Sequence, residues 1–306
     1  MHTMGNEPSW EWYRTFLSVI ETGSLSAAAR VLGLTQPTVG RHIESLETAL
    51  VLKLFTRSFE GFAPTEAARE LQPYAASVAA TAAALRRVAS SIGDGVRGTV
   101  RVTASDVIGV EVLPAILASL RAAHPALVVE LVMSNQVGDL LQREADIAVR
   151  MVRPTQQALV ARHIGSIDIG LFAHQRYLNA YGTPASLAAL DGHALIGYDQ
   201  QTTMVRAWLD RFPAFARDKL ALRADSDLAH LGAIRSGFGI GWCQAALAAR
   251  DAGLVRVLAA DCALPLPTWI VMHEDLRASP RCAVTFAALV AGLTDYINEL
   301  DEKSAT

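Results

Sequence analysis

The sequence predicts an α + α/β chain: a small helical N-terminal segment, one long helix, and a larger segment of alternating strands and helices. Three observations carry this. Residues 10–50 hold three short helical patterns, with Gly23 and Gly33 between them and a hydroxyl residue soon after each glycine. A seven-residue apolar repeat then runs to about residue 92. Beyond it, apolar runs of strand length alternate with amphipathic stretches of helix length.

Composition bounds the function. The chain has 306 residues, 51% hydrophobic and 19% charged, enough for two or three domains with sizeable cores. No apolar run approaches the roughly 20 residues that span a bilayer. The opening "MHTMGNEPSWEW" lacks the basic and apolar regions of a signal peptide, so a cytoplasmic protein without a membrane partner is expected. Cys243, Cys262 and Cys282 are odd in number and far apart, which argues against a disulfide framework or a zinc site. No H-E-x-x-H, Walker loop, G-x-G-x-x-G or G-x-S-x-G is present, and His163, His174, His193, His230 and His273 lack ligand spacing. Neither an enzyme nor a cofactor is expected. The net charge of −3 gives no global attraction to nucleic acid, so a DNA contact must rest on a local patch.

Trp10–Thr22 reads as a helix with Trp12, Phe16, Leu17 and Ile20 on one stripe. Gly23 suits a left-handed stop and Ser24 an N-cap. Ala27, Ala28 and Ala29 then allow a close helix approach, and Gly33 ends the second helix. Thr35 caps a third, with Pro37 in its first turn and Leu34 and Val39 at the spacing of a hydrophobic staple. This is a helix-turn-helix. In the third helix Val39, Ile43, Leu46 and Leu50 form the core stripe, while Thr38, Arg41, His42 and Ser45 lie away from it and Gln36 and Pro37 stand at the tip. Polar residues at the start of a second helix are what major-groove reading requires. A solvated face of a small bundle is the alternative.

Leu54–Thr56 and Phe62–Ala63 can pair as a short ribbon around Glu60-Gly61, a wing with Arg57 near its tip. Thr65 caps a helix running to about Ser91, in which Leu71, Val78, Leu85 and Ile92, with Tyr74, Thr81 and Val88 between them, form a seam that wants a partner. Pro73 inside it should kink it. The alternative is an amphipathic helix packed on its own domain.

From Phe16 to about Ala76 the chain resembles the DNA-binding region of LysR-type transcriptional regulators, on "GSLSAAARVLGLTQPTV", "HIESLE", "LFTR" and "PTEA" followed by "PYA". The resemblance implies that the third helix enters a major groove and the wing a minor groove of double-stranded DNA. Gln36, Pro37, Thr38 and Arg41 then resemble the reading positions and Arg57 the wing contact, and His42, away from the core stripe, is a further DNA-binding candidate. Gly40 stands where the family usually has serine, Val51 where glycine usually precedes the wing, and Phe59 and Glu60 at wing positions that are often basic. Residues 1–70 hold six Lys and Arg against eight Asp and Glu, which predicts few phosphate contacts and a reliance on dimer or tetramer avidity.

Gly93-Asp94-Gly95 reads as a hinge. After it, Thr99–Ala104, Val128–Val132 and Ile147–Arg150 read as strands and Val110–Ala122 and Asp139–Glu144 as helices, an α/β arrangement with a mostly parallel sheet. Here the chain resembles the family's effector-binding half, on "ADIAVR", "GTPASLAALDGHALIGYD" and "IRSGFGIGWCQ". That implies a periplasmic-binding-protein-like domain of two α/β subdomains with a cleft between them. The expected domains are 1–64 (winged helix-turn-helix), 65–92 (linker helix for dimerisation), 93–97 (hinge) and 98–306 (effector-binding), with crossovers near Gly165 and Pro267. Subdomain I covers about 98–165 and 271–306, and subdomain II about 166–268.

Ligands of open α/β sheets sit beyond the carboxyl ends of strands. Ser105, Ser134, Asn135, Arg150 and Met151 follow strands of the first subdomain, and Thr202, Thr203 and Asp225 follow strand-like segments of the second, with Tyr198 and Arg223 just before them. Each has a plainer alternative: Ser105 and Ser134 as helix caps, Arg150 as a partner of Asp146 or Asp168. Arg150 points to an anionic effector. "GFGIG", Gly237–Gly241, reads as a close turn and Cys243 as a buried structural thiol, with a cleft-facing redox sensor as the alternative. The expected function is an effector-controlled homodimeric or homotetrameric regulator, with RNA polymerase as a further candidate partner. A solute-binding or enzymatic α/β protein with an N-terminal bundle is the alternative.

Overall fold

The computed structural model describes residues 7–58, 61–93, 95–134, 143–154 and 158–304. They form two compact units that divide between Arg86 and Arg87, with residues 143 and 144 grouped with the first.

In the first unit, α1 (Trp10–Thr22), α2 (Leu25–Leu32) and α3 (Gln36–Leu50) are bounded by local chemistry. Gly23 and Gly33 close α1 and α2 at φ 69° and 67°, a region that L side chains disfavour. The Ser24 hydroxyl accepts the Ala27 N–H at 3.1 Å, and the Thr35 hydroxyl accepts the Thr38 N–H at 3.4 Å. Phe16, Val19, Ala28, Val39, Ile43 and Leu46 are buried together in the unit's core. Strands β1 (Phe55–Ser58) and β2 (Gly61–Pro64) pair antiparallel, and the Phe55 ring packs between Phe16 and Phe62 at 5.9 and 5.3 Å, which pins the wing to α1. The buried Glu47 carboxylate accepts the Leu54 and Phe55 N–H groups at 2.8 and 3.3 Å and pairs with Lys53. Burial alone would raise its pKa, but these partners outweigh that and hold it lowered.

The end of α3 carries strain. Val51 sits at φ 56° and is exposed; its N–H donates to the Thr48 carbonyl at 3.3 Å, and the Leu52 N–H to that of Glu47 at 3.1 Å. This is a Schellman closure built on a β-branched residue instead of glycine. Left-handed backbone costs an L residue about 1–2 kcal/mol, and glycine's extra chain entropy returns up to about 1. Val51→Gly is therefore expected to stabilise the unit by about 0.5–1 kcal/mol. A denaturant midpoint that stays put or falls would contradict this.

Helix α4 (Glu66–Ser90) starts at Thr65, whose hydroxyl accepts the Ala68 N–H at 3.2 Å. It continues through Pro73 as one helix. Leu71 packs on the first unit's core, whereas Tyr74, Val78, Leu85 and Val88 are exposed, as is Ile92 beyond the helix end. Gly93 and Gly95 both take positive φ; Asp94 lies outside the described residues.

The second unit is built on a seven-stranded sheet. Its elements are β3 (Gly98–Ala104), α5 (Leu113–Ala123), β4 (Leu127–Met133), β5 (Ile147–Arg150), β6 (Leu159–His174) and α6 (Gln175–Tyr181). There follow β7 (Ile196–Gly197), α7 (Thr203–Arg211), β8 (Leu222–Arg223), α8 (Asp227–Arg235), β9 (Gly241–Gln244) and α9 (Ala245–Ala248). The unit closes with β10 (Leu254–Val257), β11 (Ala263–His273) and α10 (Pro280–Ser304). Strand order is β10-β6-β11-β5-β3-β4, with β9 also on β6; β7 and β8 pair separately. Of the helix expected over Asp139–Glu144, only Arg143 and Glu144 are described, and they form a turn and a bend.

The expectation of a mostly parallel sheet is corrected. Among the described residues of the seven-stranded sheet, parallel pairing joins only β3 to β4 and β3 to β5; β5–β11, β6–β11, β6–β10 and β6–β9 are antiparallel. The cause is the pair of long strands, β6 and β11. They carry the chain in opposite directions through the unit and pair along eleven residues of β11. Gly165, at φ 127°, faces Thr268 beside a register shift. One apolar core holds Val100, Ile147, Ile270 and Leu293, and another Leu171, Tyr177, Leu195 and Ile240. In "GFGIG", a Cβ on Gly239 would stand 2.1 Å from the Ala194 carbonyl oxygen, so glycine lets the two backbones meet. The Ile240 N–H then donates to that carbonyl at 2.9 Å.

Two buried arginines share one carboxylate in this unit. Asp146 Oδ2 accepts from Arg87 Nε at 3.0 Å, from Arg281 Nη1 at 3.4 Å and from the Arg101 N–H at 2.9 Å. All three charged side chains are buried.

Candidate DNA-reading helix and effector cavity

The capped turn presents the start of α3 to solvent. Gln36, Pro37 and Arg41 are exposed and Thr38 half-buried. Gln36 Oε1 accepts from the Ser26 hydroxyl at 3.0 Å, and the Thr35 and Thr38 hydroxyls are 2.8 Å apart, so local bonds orient this tip. Arg41 makes no ion pair among the described residues. His42 is placed differently: its Nδ1 lies 2.9 Å from the Thr15 hydroxyl on α1, a bond between two helices of the unit. The Arg57 backbone stands in β1 opposite Phe62; its side chain, with Phe59 and Glu60, lies outside the described residues.

The second unit encloses a cavity of about 290 Å³. Residues on both sides of Gly165 line it. Ser105, Arg150 and Met151 are among them, whereas Ser134, Thr202, Thr203 and Asp225 are not, and Asn135 lies outside the described residues. Thr202 caps α7, accepting the Val205 N–H at 3.3 Å, and Asp225 Oδ1 accepts the Asp199 and Gln200 N–H groups at 3.1 and 2.8 Å. These side chains hold loops. Val107, also in the lining, precedes a π-helical turn at Ile108–Val112.

Most of the wall is apolar, and its largest element is aromatic. The Trp242 ring meets Trp208, Phe212 and Phe215 at 5.9, 4.8 and 5.6 Å, and all four rings line the cavity. Sequence reading missed this wall, although Trp208, Phe212 and Phe215 stand at i, i+4 and i+7. Trp242 arrives from β9, and nothing in its local pattern announces the meeting.

The polar groups of the wall are few. Tyr198 Oη donates to the Asp227 carboxylate, and burial followed by that neighbouring charge raises the phenol pKa, so it stays a donor. His230 Nε2 lies 3.0 and 2.8 Å from the Gly197 and Ala224 carbonyl oxygens, which can only accept, so this nitrogen carries the proton. Arg150 donates to the Val149 carbonyl at 3.0 Å and to the Thr103 hydroxyl at 3.2 Å. Arg217 pairs with Asp199 at 2.6 Å. Burial pushes the Cys243 thiol up to about 12, which makes it a poor nucleophile. Beside the cavity, Tyr296 Oη donates to Gln244 Oε1 at 2.6 Å, and Arg235 forks onto Glu111 at 2.8 and 3.0 Å. Among the described residues no group of His, Cys, Asp and Glu could hold a metal ion, and no helix is long and apolar enough to cross a membrane.

One chain thus carries a winged helix-turn-helix, a long helix and a cavity-bearing α/β unit. Residues 10–69 match the pattern described as "Bacterial regulatory helix-turn-helix protein, lysR family", and residues 93–294 match the "LysR substrate binding domain". The chain belongs to the LysR family. An HTH-type transcriptional regulator of Xanthomonas campestris is 31% identical over 178 residues, 58% of this chain and 52% of that protein. The chain thus spans about half the length of that curated relative. Two solved structures share the fold. CrgA of Neisseria meningitidis has a TM-score of 0.56 at 23% identity, covering 93% of this chain and 98% of its own. CbnR complexed with its target DNA has a TM-score of 0.64 at 20% identity, covering 92% and 99%.

Proposed function

We propose that this chain is a sequence-specific transcriptional regulator that binds double-stranded DNA as a homodimer or homotetramer and responds to a small molecule held in the cavity of its second unit. The observation that carries it is the exposed, locally oriented tip of α3, with Gln36, Pro37 and Arg41 open to solvent on a helix whose opposite face is core. The solved complex of CbnR with DNA supports the reading, and the exposed apolar stripe of α4 supports self-association. Thr38 would read beside Gln36 and Arg41, and Arg57 would meet the backbone or minor groove. RNA polymerase is a further partner consistent with a regulator. A ligand shifts such a protein only by its differential affinity for two arrangements.

The test is a gel shift with DNA from upstream of the protein's own gene. A specific complex is expected, and its absence with and without added metabolites would favour a solute-binding or enzymatic role. Because the first 70 residues carry more acid than base, log affinity against log salt should fall with a slope shallower than about −5, against about −9 for ten phosphate contacts. A slope near the larger value would reject the sparse-phosphate account.

A further inference from the structure

We propose that the effector is a one- or two-ring aromatic molecule carrying a hydroxyl or N–H donor and no carboxylate, stacked on Trp208 and Trp242 with its donor on Asp227. The inference deepens the reading of this cavity as the effector site and rests on it. A volume of about 290 Å³ lies at the lower end for ligand sites, which suits one or two rings. The aromatic wall rewards a planar apolar body.

Among the described residues, Arg150, Arg217 and Asp227 are the carboxylate and guanidinium side chains that line the cavity. Arg217 is neutralised by Asp199. Arg150 is buried and gives one N–H of each Nη atom to a protein acceptor, the Val149 carbonyl and the Thr103 hydroxyl, which fixes its guanidinium. Asp227 remains. One of its oxygens takes the Tyr198 hydroxyl, and no other side-chain bond to it is formed among the described residues, leaving acceptor capacity towards the cavity. A carboxylate ligand would meet this negative charge, whereas a phenol or N–H would gain a charge-assisted hydrogen bond. The proposed ligand departs from the anionic effector that Arg150 suggests in the sequence.

The experiment is calorimetric titration of the full chain with 2-naphthol, 2-methoxynaphthalene and 2-naphthoate, which share one ring system and differ in the end group. 2-Naphthol is expected to bind about tenfold or more tightly than either of the others. Asp227→Ala should bring 2-naphthol and 2-methoxynaphthalene to within about twofold of each other, and Trp242→Ala should weaken both. Tyr198→Phe serves as a second variant, which leaves Asp227 in place and should retain the preference for 2-naphthol. Equal or tighter binding of 2-naphthoate, an unchanged ratio in Asp227→Ala, or binding of none of the three would overturn the proposed class. A specific DNA complex formed in the same preparation would show that the regulator reading survives that failure.

Discussion

Arg41→Ala is expected to weaken specific DNA binding by about thirtyfold to ten-thousandfold, while the first unit keeps its stability within about 0.5 kcal/mol. A guanidinium that reads a base edge contributes about 1–3 kcal/mol of discrimination, and a symmetric dimer loses it twice. The fold should not notice the change, because Arg41 is exposed and makes no ion pair among the described residues. Electrophoretic titration of the variant, beside a thermal melt, checks both halves. His42→Ala makes the useful contrast. Its bond to Thr15 lies within the unit, so that change should cost stability of about 1 kcal/mol before it costs recognition.

Asp146→Ala should destabilise the second unit by about 3–5 kcal/mol, a large share of the roughly 5–15 that holds a domain together. The cost comes from what remains. Arg87 and Arg281 would stay buried without their shared carboxylate, and the Arg101 N–H would lose its acceptor. Asp146→Asn keeps an acceptor but not the charge and should fall between the two. Because Asp146 directly precedes β5, whose last residue is Arg150, the cavity should loosen as the unit does. Denaturant titration with an unchanged midpoint in Asp146→Ala would show that the cluster is not what holds this region.

Local chemistry made the N-terminal architecture readable. The bounds of α1, the stops at Gly23 and Gly33 and the caps at Ser24 and Thr35 each depend on residues within one turn of each other, so a linear pattern records them. Val51 was visible as a departure from the family's glycine, and the structure shows the backbone conformation that glycine would serve. Long-range features left weaker traces. The antiparallel pairing of β6 with β11 joins residues about a hundred positions apart, and strand-length apolar runs look alike whichever way their neighbours run. The cavity had partial signals: Ser105, Arg150 and Met151 stand at strand ends on its wall, but the aromatic cluster and Asp227 meet only once the chain has folded around Trp242. Asp146 could be suspected as a partner of Arg150, yet it serves Arg87 and Arg281 instead.

The most direct measurement is selection of duplexes from a randomised library by the unaltered chain and by Arg41→Ala, followed by sequencing of the bound DNA. If the tip of α3 reads base edges, the unaltered chain enriches a two-fold-related motif, and the variant relaxes preference at one base pair in each half-site. If the variant instead enriches the same motif with every position equally marked and affinity uniformly lower, Arg41 contacts backbone phosphate and the reading helix lies elsewhere.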